Sequence, residues 1–238
     1  MSAIGWQPDG IQSQGDGLRI GRYGELYALS LVPDMGMLAD EGSLFTVNNA
    51  QTGVITSATV TAFSATNPFM IIYNKDVQPN GKRIALDYAA FVVTVLGGAG
   101  QTSVQCAVSI DTGNRYTSGG TEITGNIVNP NFDAGNTSIA RVWAGNITAT
   151  AATSNVRNVV GNRYLKGAVE VVADTYMLKF GGVDAPLLAG AAGTAYTMVQ
   201  NVPKVIVGPG ESALIYLWFP TITTTGVTML PEATWVER

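Results

Sequence analysis

Residues 103–111 read SVQCAVSID, and this stretch decides the fold. Its apolar residues Val104, Cys106, Val108 and Ile110 take every second position, with Gln105, Ala107, Ser109 and Asp111 between them. Successive side chains of a strand point to opposite faces, so the spacing predicts a half-buried β-strand with Gln105, Ser109 and Asp111 facing outward. Thr112, Gly113 and Asn114 follow as turn residues. Asp111 then stands where its carboxylate accepts backbone N–H bonds as the turn begins.

The same signal recurs on both sides. Short runs rich in Val, Ile, Thr and aromatic residues predict strands at residues 44–48, 69–74, 84–96 (one strand or two), 140–150, 168–172, 176–181, 204–207, 213–219 and 234–237. Turns are expected at Pro79-Asn80-Gly81, residues 97–100, Gly119-Gly120 and residues 208–211, the last joining 204–207 to 213–219 as a hairpin. Residues 213–219, ALIYLWF, are apolar on both faces, the pattern of a strand covered on both sides or by another subunit. Val156, Val159 and Val160 allow a short helix within 153–165, which β-branched and Asn content disfavours. The expected architecture is all-β: a two-sheet β-sandwich, a jelly roll of about eight strands, over residues 43–238.

Residues 1–42 differ. Trp6, Ile11, Leu18, Ile20, Tyr23, Leu26, Tyr27 and Leu31 are separated by Gly, Asp and Pro with no steady period, so the segment cannot form a core alone. It reads as an extended N-terminal arm lying along its own body or a neighbour's, or as a loop-rich wrap on its own domain. It holds two of the 13 basic and six of the 17 acidic residues, which leaves 11 of each in the rest of the chain. The arm is acidic and the body neutral.

Composition narrows the function. A net charge of −4 and a pI near 4.8 argue against neutralising phosphates, so no nucleic-acid partner is expected. There is no run of about 18 apolar residues, hence no expected membrane span, and the N-terminus lacks the pattern of a signal peptide. The Asn136-Thr-Ser and Asn146-Ile-Thr matches to the glycosylation pattern are then chance, and a soluble protein made in a cytosol is expected.

The chain has no histidine and one cysteine, so neither a disulfide nor a base-activated nucleophile is expected. No metal or cofactor is expected either, because clusters of Cys, His or carboxylate ligands are absent and the glycines of residues 97–103 lack a Gly-Lys-Ser/Thr ending. Asp111-Thr-Gly matches the tripeptide of aspartic proteases, but those need a second carboxylate to share one proton, and no second copy of the tripeptide occurs. The chain reads as a non-enzyme. Trp6, Tyr23, Tyr27, Trp143, Tyr164 and Trp235 stand in or near polar stretches, as a sugar platform or a protein interface would require.

The run SLVPDMGMLADEGSLFTVNNAQTGVITSATVTAFSATNPFMIIYN, with GKRIALDYAAFVVT, SVQCAVSIDTGNRYTSGGTEIT and RVWAGNITATAATSNVRNVVGNRYLKG, resembles a family of small virion proteins of tailed bacteriophages. The resemblance extends from about Gly21 to the C-terminus and rests on overall pattern. It implies a β-sandwich that decorates or cements the capsid shell, as a homotrimer on the capsid exterior, with the major capsid protein as partner. Trp6, Ile11, Leu18, Ile20, Tyr23, Leu26, Tyr27, Leu31 and Trp235 are the expected capsid or subunit interface. The alternative is a tail or receptor-binding module that recognises host surface glycan.

Overall fold

The computed structural model describes residues 18–20, 26–28, 35–49, 52–56, 61–98, 103–166, 170–181, 197–220 and 225–238. The chain divides into two compact units, Met1–Leu38 and Ala39–Arg238. In the first, β1 (Leu18–Ile20) and β2 (Leu26–Ala28) pair antiparallel, so a segment expected to be extended contains a hairpin. A short helix, α1 (Met35–Asp40), leads along the chain towards the strands of the second unit.

Those strands begin with β3 (Leu44–Asn48), β4 (Val54–Ile55), β5 (Met70–Asn74), β6 (Ile84–Val95) and β7 (Val104–Thr112). Next come β8 (Tyr116–Glu122), β9 (Ile127–Val128), β10 (Ala140–Ala149), β11 (Arg157–Lys166) and β12 (Thr175–Phe180). The last four are β13 (Thr197–Val202), β14 (Ile206–Val207), β15 (Glu211–Trp218) and β16 (Thr228–Glu237).

Two sheets result, and their order is that of nested hairpins. One runs β12-β6-β16-β3 and the other β11-β7-β15-β5, every neighbour antiparallel. In these eight strands the first pairs with the last (β3 with β16), the second with the seventh (β5 with β15), the third with the sixth (β6 with β12) and the fourth with the fifth (β7 with β11). An antiparallel ribbon folded over a core in this way is a jelly roll. The insertion between β7 and β11 adds β10 and β8 beyond β5 and β9 beyond β3, while β13 joins β12 in parallel.

The core lies between the sheets. Val104, Cys106 and Val108 of β7 meet Phe91, Leu86 and Ala89 of β6, Met229, Ala233 and Trp235 of β16, and Ala213, Ile215 and Leu217 of β15 in one apolar cluster. Phe69 and Phe91 cross edge to face at 5.3 Å. At one margin Arg163 of β11 donates to the Asn201 carbonyl of β13 at 2.8 Å, and Gln200 donates to that of Tyr164 at 2.7 Å, tying one sheet to the other.

Three expectations are corrected, and one strand is added to those expected. Residues 157–166, where β-branched and Asn content disfavours a helix, form strand β11; three register shifts against β7 break its alternation and hide the period of two. Gly119 and Gly120 lie inside β8, not at a turn. Both have positive φ, and a Cβ on Gly119 would stand 2.4 Å from the Asn146 carbonyl oxygen where β10 bulges. Residues 208–211 do not join a hairpin, because β14 pairs with β6 and β15 with β7 and β5, so this turn carries the chain between sheets. Of the strand expected at 168–172, residues 168–169 lie outside the described residues, and Val171–Asp174 form a turn closed by the Asp174 N–H on the Val171 carbonyl at 3.0 Å.

Candidate functional site

Asp111 ends β7 as expected, but the face it occupies is not open to water. Gln105, Ala107, Ser109 and Asp111 are all buried, with Asp111 2% exposed. The reason lies in β15, whose outward Leu214, Tyr216 and Trp218 join Ile71, Ala107 and Trp143 in a second apolar cluster, with Phe63 packed edge-on to Tyr216 and Trp218. The sheet is apolar on both faces, as ALIYLWF predicts.

Within this layer Asp111 is the centre of a latch. Its carboxylate accepts the Thr112 N–H at 2.8 Å, the Thr153 N–H at 2.9 Å, the Thr153 hydroxyl and the Arg115 guanidinium. Arg115, 1% exposed, also donates to the carbonyls of Ala65 and Thr150 at 3.0 Å each. Burial raises the Asp111 pKa, but the bonds from Thr153, Thr112 and Arg115 outweigh it and hold the carboxyl below its usual range. A carboxylate so engaged is a structural anion that fastens three chain segments.

Beside the latch an open groove is lined by Ile110, Thr112, Asn155, Arg157, Ile206 and Glu211. Glu211 is committed there too, accepting the Gly208 N–H at 2.7 Å. Cys106 faces the core, and burial pushes its thiol up to about 12, so it is a packing residue with negligible thiolate at neutral pH. No helix among the described residues is long and apolar enough to cross a membrane.

A second buried polar group closes the turn between β11 and β12. Asp174 accepts the Val171 N–H at 2.6 Å and pairs with Lys166, while Tyr176 donates to Glu170 at 3.2 Å. Glu170 Oε2 and Asp174 Oδ1 have no hydrogen-bond partner. Burial raises the Glu170 carboxyl to about 7, with the neighbouring Asp174 charge adding to the rise. Ala173 in this turn has φ of 74°, and its N–H bonds to the Val93 carbonyl at 2.8 Å.

The expected interface residues separate. Trp6, Ile11, Tyr23 and Leu31 lie outside the described residues, and Leu18, Ile20, Leu26 and Tyr27 belong to the β1–β2 hairpin. Trp235 is corrected: it is fully buried between the sheets, its indole N–H donating to Glu237 at 2.9 Å, so it offers no surface to a partner. Of the other aromatics, Trp143 is buried against Tyr116, with ring centroids 4.4 Å apart and Arg141 on its ring, and Tyr164 is exposed on the edge strand β11.

The exposed apolar surface lies elsewhere. Val95 pairs with Thr228, which pairs with Ile55, and the turn carrying Val171 and Val172 is hydrogen-bonded to Val93. Ile55, Val95, Leu96, Val171 and Val172 are all exposed near one end of the β12-β6-β16-β3 sheet. Phe132, at the tip of the loop between β9 and β10, is wholly exposed. Neither feature follows a strand period, so alternation in the sequence does not mark them.

The fold defines the chain as an all-β, two-sheet sandwich protein that exposes, among the described residues, several aliphatic side chains and the ring of Phe132. No protein-family model, curated protein or solved structure matches it.

Proposed function

We propose that this chain is a structural virion protein that decorates and cements a phage capsid shell, as a homotrimer on the capsid exterior bound across neighbouring major capsid subunits. The observation that supports the reading is the group of exposed aliphatic residues Ile55, Val95, Leu96, Val171 and Val172 near one end of the sheet. Exposed aliphatic side chains gathered at one end of a sheet are a surface that a protein contact would cover. A second copy is its occupant, because the body around it is charge-neutral and sets up no repulsion between copies. The buried polar groups are consistent with a binding module: Asp111 and Arg115 are committed to fastening the chain.

The test has two arms. Sedimentation of the full chain should give a trimer, and Val172→Glu, which places a charge at a half-exposed site, should shift it towards monomer without unfolding it. Shells prepared without this chain should take it up to a fixed stoichiometry. Failure of the wild-type protein to bind such shells overturns the cement reading, and a monomeric wild type overturns the trimer.

A further inference from the structure

The loop between β9 and β10 has the geometry of a prebuilt anchor. Asn129 and Asn136 donate their side-chain N–H to the Gly42 carbonyl at 2.8 and 3.0 Å, and Asn131 donates to that of Asp40 at 2.8 Å. The side-chain oxygens of Asn129 and Asn131 accept the N–H groups of Asn131 and Asp133 at 2.9 and 3.0 Å. Gly42 makes the fit possible: its φ is 68°, and a Cβ there would stand 2.4 Å from Ala134 Cβ and 2.7 Å from Asn136 Nδ2. Five side-chain bonds and one close approach thus fix a loop whose apex residue, Phe132, touches nothing and is 100% exposed.

Exposing an aromatic ring on a held loop is unfavourable in water and leaves little ordering entropy to lose on docking. Large rigid side chains on preorganised backbone are the anchors of protein interfaces. The surroundings state the partner's charge: Asp40, Glu41 and Asp133 are exposed beside the loop, and residues 35–43 and 127–138 contain no Lys or Arg. These three carboxylates would repel the same acidic face of a second copy, which disfavours that face as the occupant.

We infer that the Phe132 loop is a docking knob that inserts into an apolar socket rimmed by Lys or Arg on the shell protein. This rests on the proposed cement role and names the residue that would anchor it. The knob stands where the chain enters the sandwich, at residues 40–42, to which the three asparagines tie it.

Full-length protein and its Phe132→Ala and Phe132→Leu variants are titrated onto purified shells that lack this chain. Phe132→Ala should bind at least tenfold more weakly with an unchanged melting temperature, because the ring makes no intramolecular contact. Phe132→Leu should retain most of the affinity, and wild-type binding should weaken as salt rises. Equal binding by wild type and Phe132→Ala overturns the knob and leaves the cement role standing. A photo-crosslinker at position 132 that joins only a second copy overturns the assignment of the partner. Wild-type protein that does not bind shells at all removes the knob's partner together with the cement role.

Discussion

Replacing Arg115 by Ala is expected to destabilise the sandwich by about 3–5 kcal/mol, because it leaves the buried Asp111 carboxylate without its countercharge. Two backbone carbonyls, of Ala65 and Thr150, lose their guanidinium donor at the same time. For a body of this size the melting temperature should fall by roughly 10 °C. Arg115→Lys should recover only part of the loss, since one ammonium cannot reach the carboxylate and two carbonyls with the geometry of the planar fork. Asp111→Asn combined with Arg115→Met should cost less than the two single changes together, because neither charge is then stranded.

The same latch sets acid behaviour. The folded-state pKa of Asp111 lies below its unfolded value, so its contribution is complete above the ordinary carboxylate range, about pH 4, and is lost as pH falls through the lowered value. Without Arg115 the acid unfolding midpoint should move to higher pH. Thermal and acid denaturation of the five variants check both points, and a change below about 1 kcal/mol for Arg115→Ala would refute the latch.

Glu170→Gln is expected to act with the opposite sign, as a stabilising change above neutral pH. Burial raises Glu170 to about 7 in the folded chain, against about 4.3 when unfolded. The folded state therefore holds a proton that the unfolded state releases between these values, and stability falls as pH rises from about 4.5 to 7. A shift of this size corresponds to roughly 3–4 kcal/mol. Above pH 7 the wild-type turn holds a buried anion with an unpartnered Oε2 next to Asp174, against the single cation Lys166. The amide of Gln carries no charge, so the variant should lose the slope between pH 5 and 7.5 and be the more stable protein at pH 8. Urea denaturation at a series of pH values measures this. An unchanged slope in Glu170→Gln would show that another group titrates.

The fold was legible wherever one face of a strand meets the core. The expected 44–48 coincides with β3, 69–74 and 176–181 lie within a residue of β5 and β12 at each end, and residues 104–110 alternate as β7 requires. Legibility failed where register shifts break the alternation. β11 has three of them against β7, and β8 carries Gly119 and Gly120 at positive φ opposite a bulge in β10. Partner choice is also absent from local pattern: Gly208–Glu211 has turn composition whether it joins a hairpin or crosses between sheets.

The surface was less legible than the fold. Trp143 and Trp235 sit among polar neighbours in sequence, yet both are buried, because alternation places polar residues beside every inward-facing ring. Gln105, Ser109 and Asp111 read as a solvated face, but β15 beside them is apolar outward, and that layer extends over the polar residues of β7. Cys106 lies on the core face, as the strict period of two kept by its neighbours Val104 and Val108 predicts. Phe132 carries no periodic signal at all. Only the three asparagines around it, spaced to turn the chain and reach back to residues 40–42, mark the loop as fixed.

The most direct measurement is the number of copies of this chain per purified virus particle, by quantitative mass spectrometry against the major shell protein. The cement role predicts a simple fixed ratio to the shell protein, with copies on the order of hundreds per particle for a shell built of repeated subunits. A handful of copies would contradict it and assign the chain to the tail, and absence from the particle would contradict a virion role altogether.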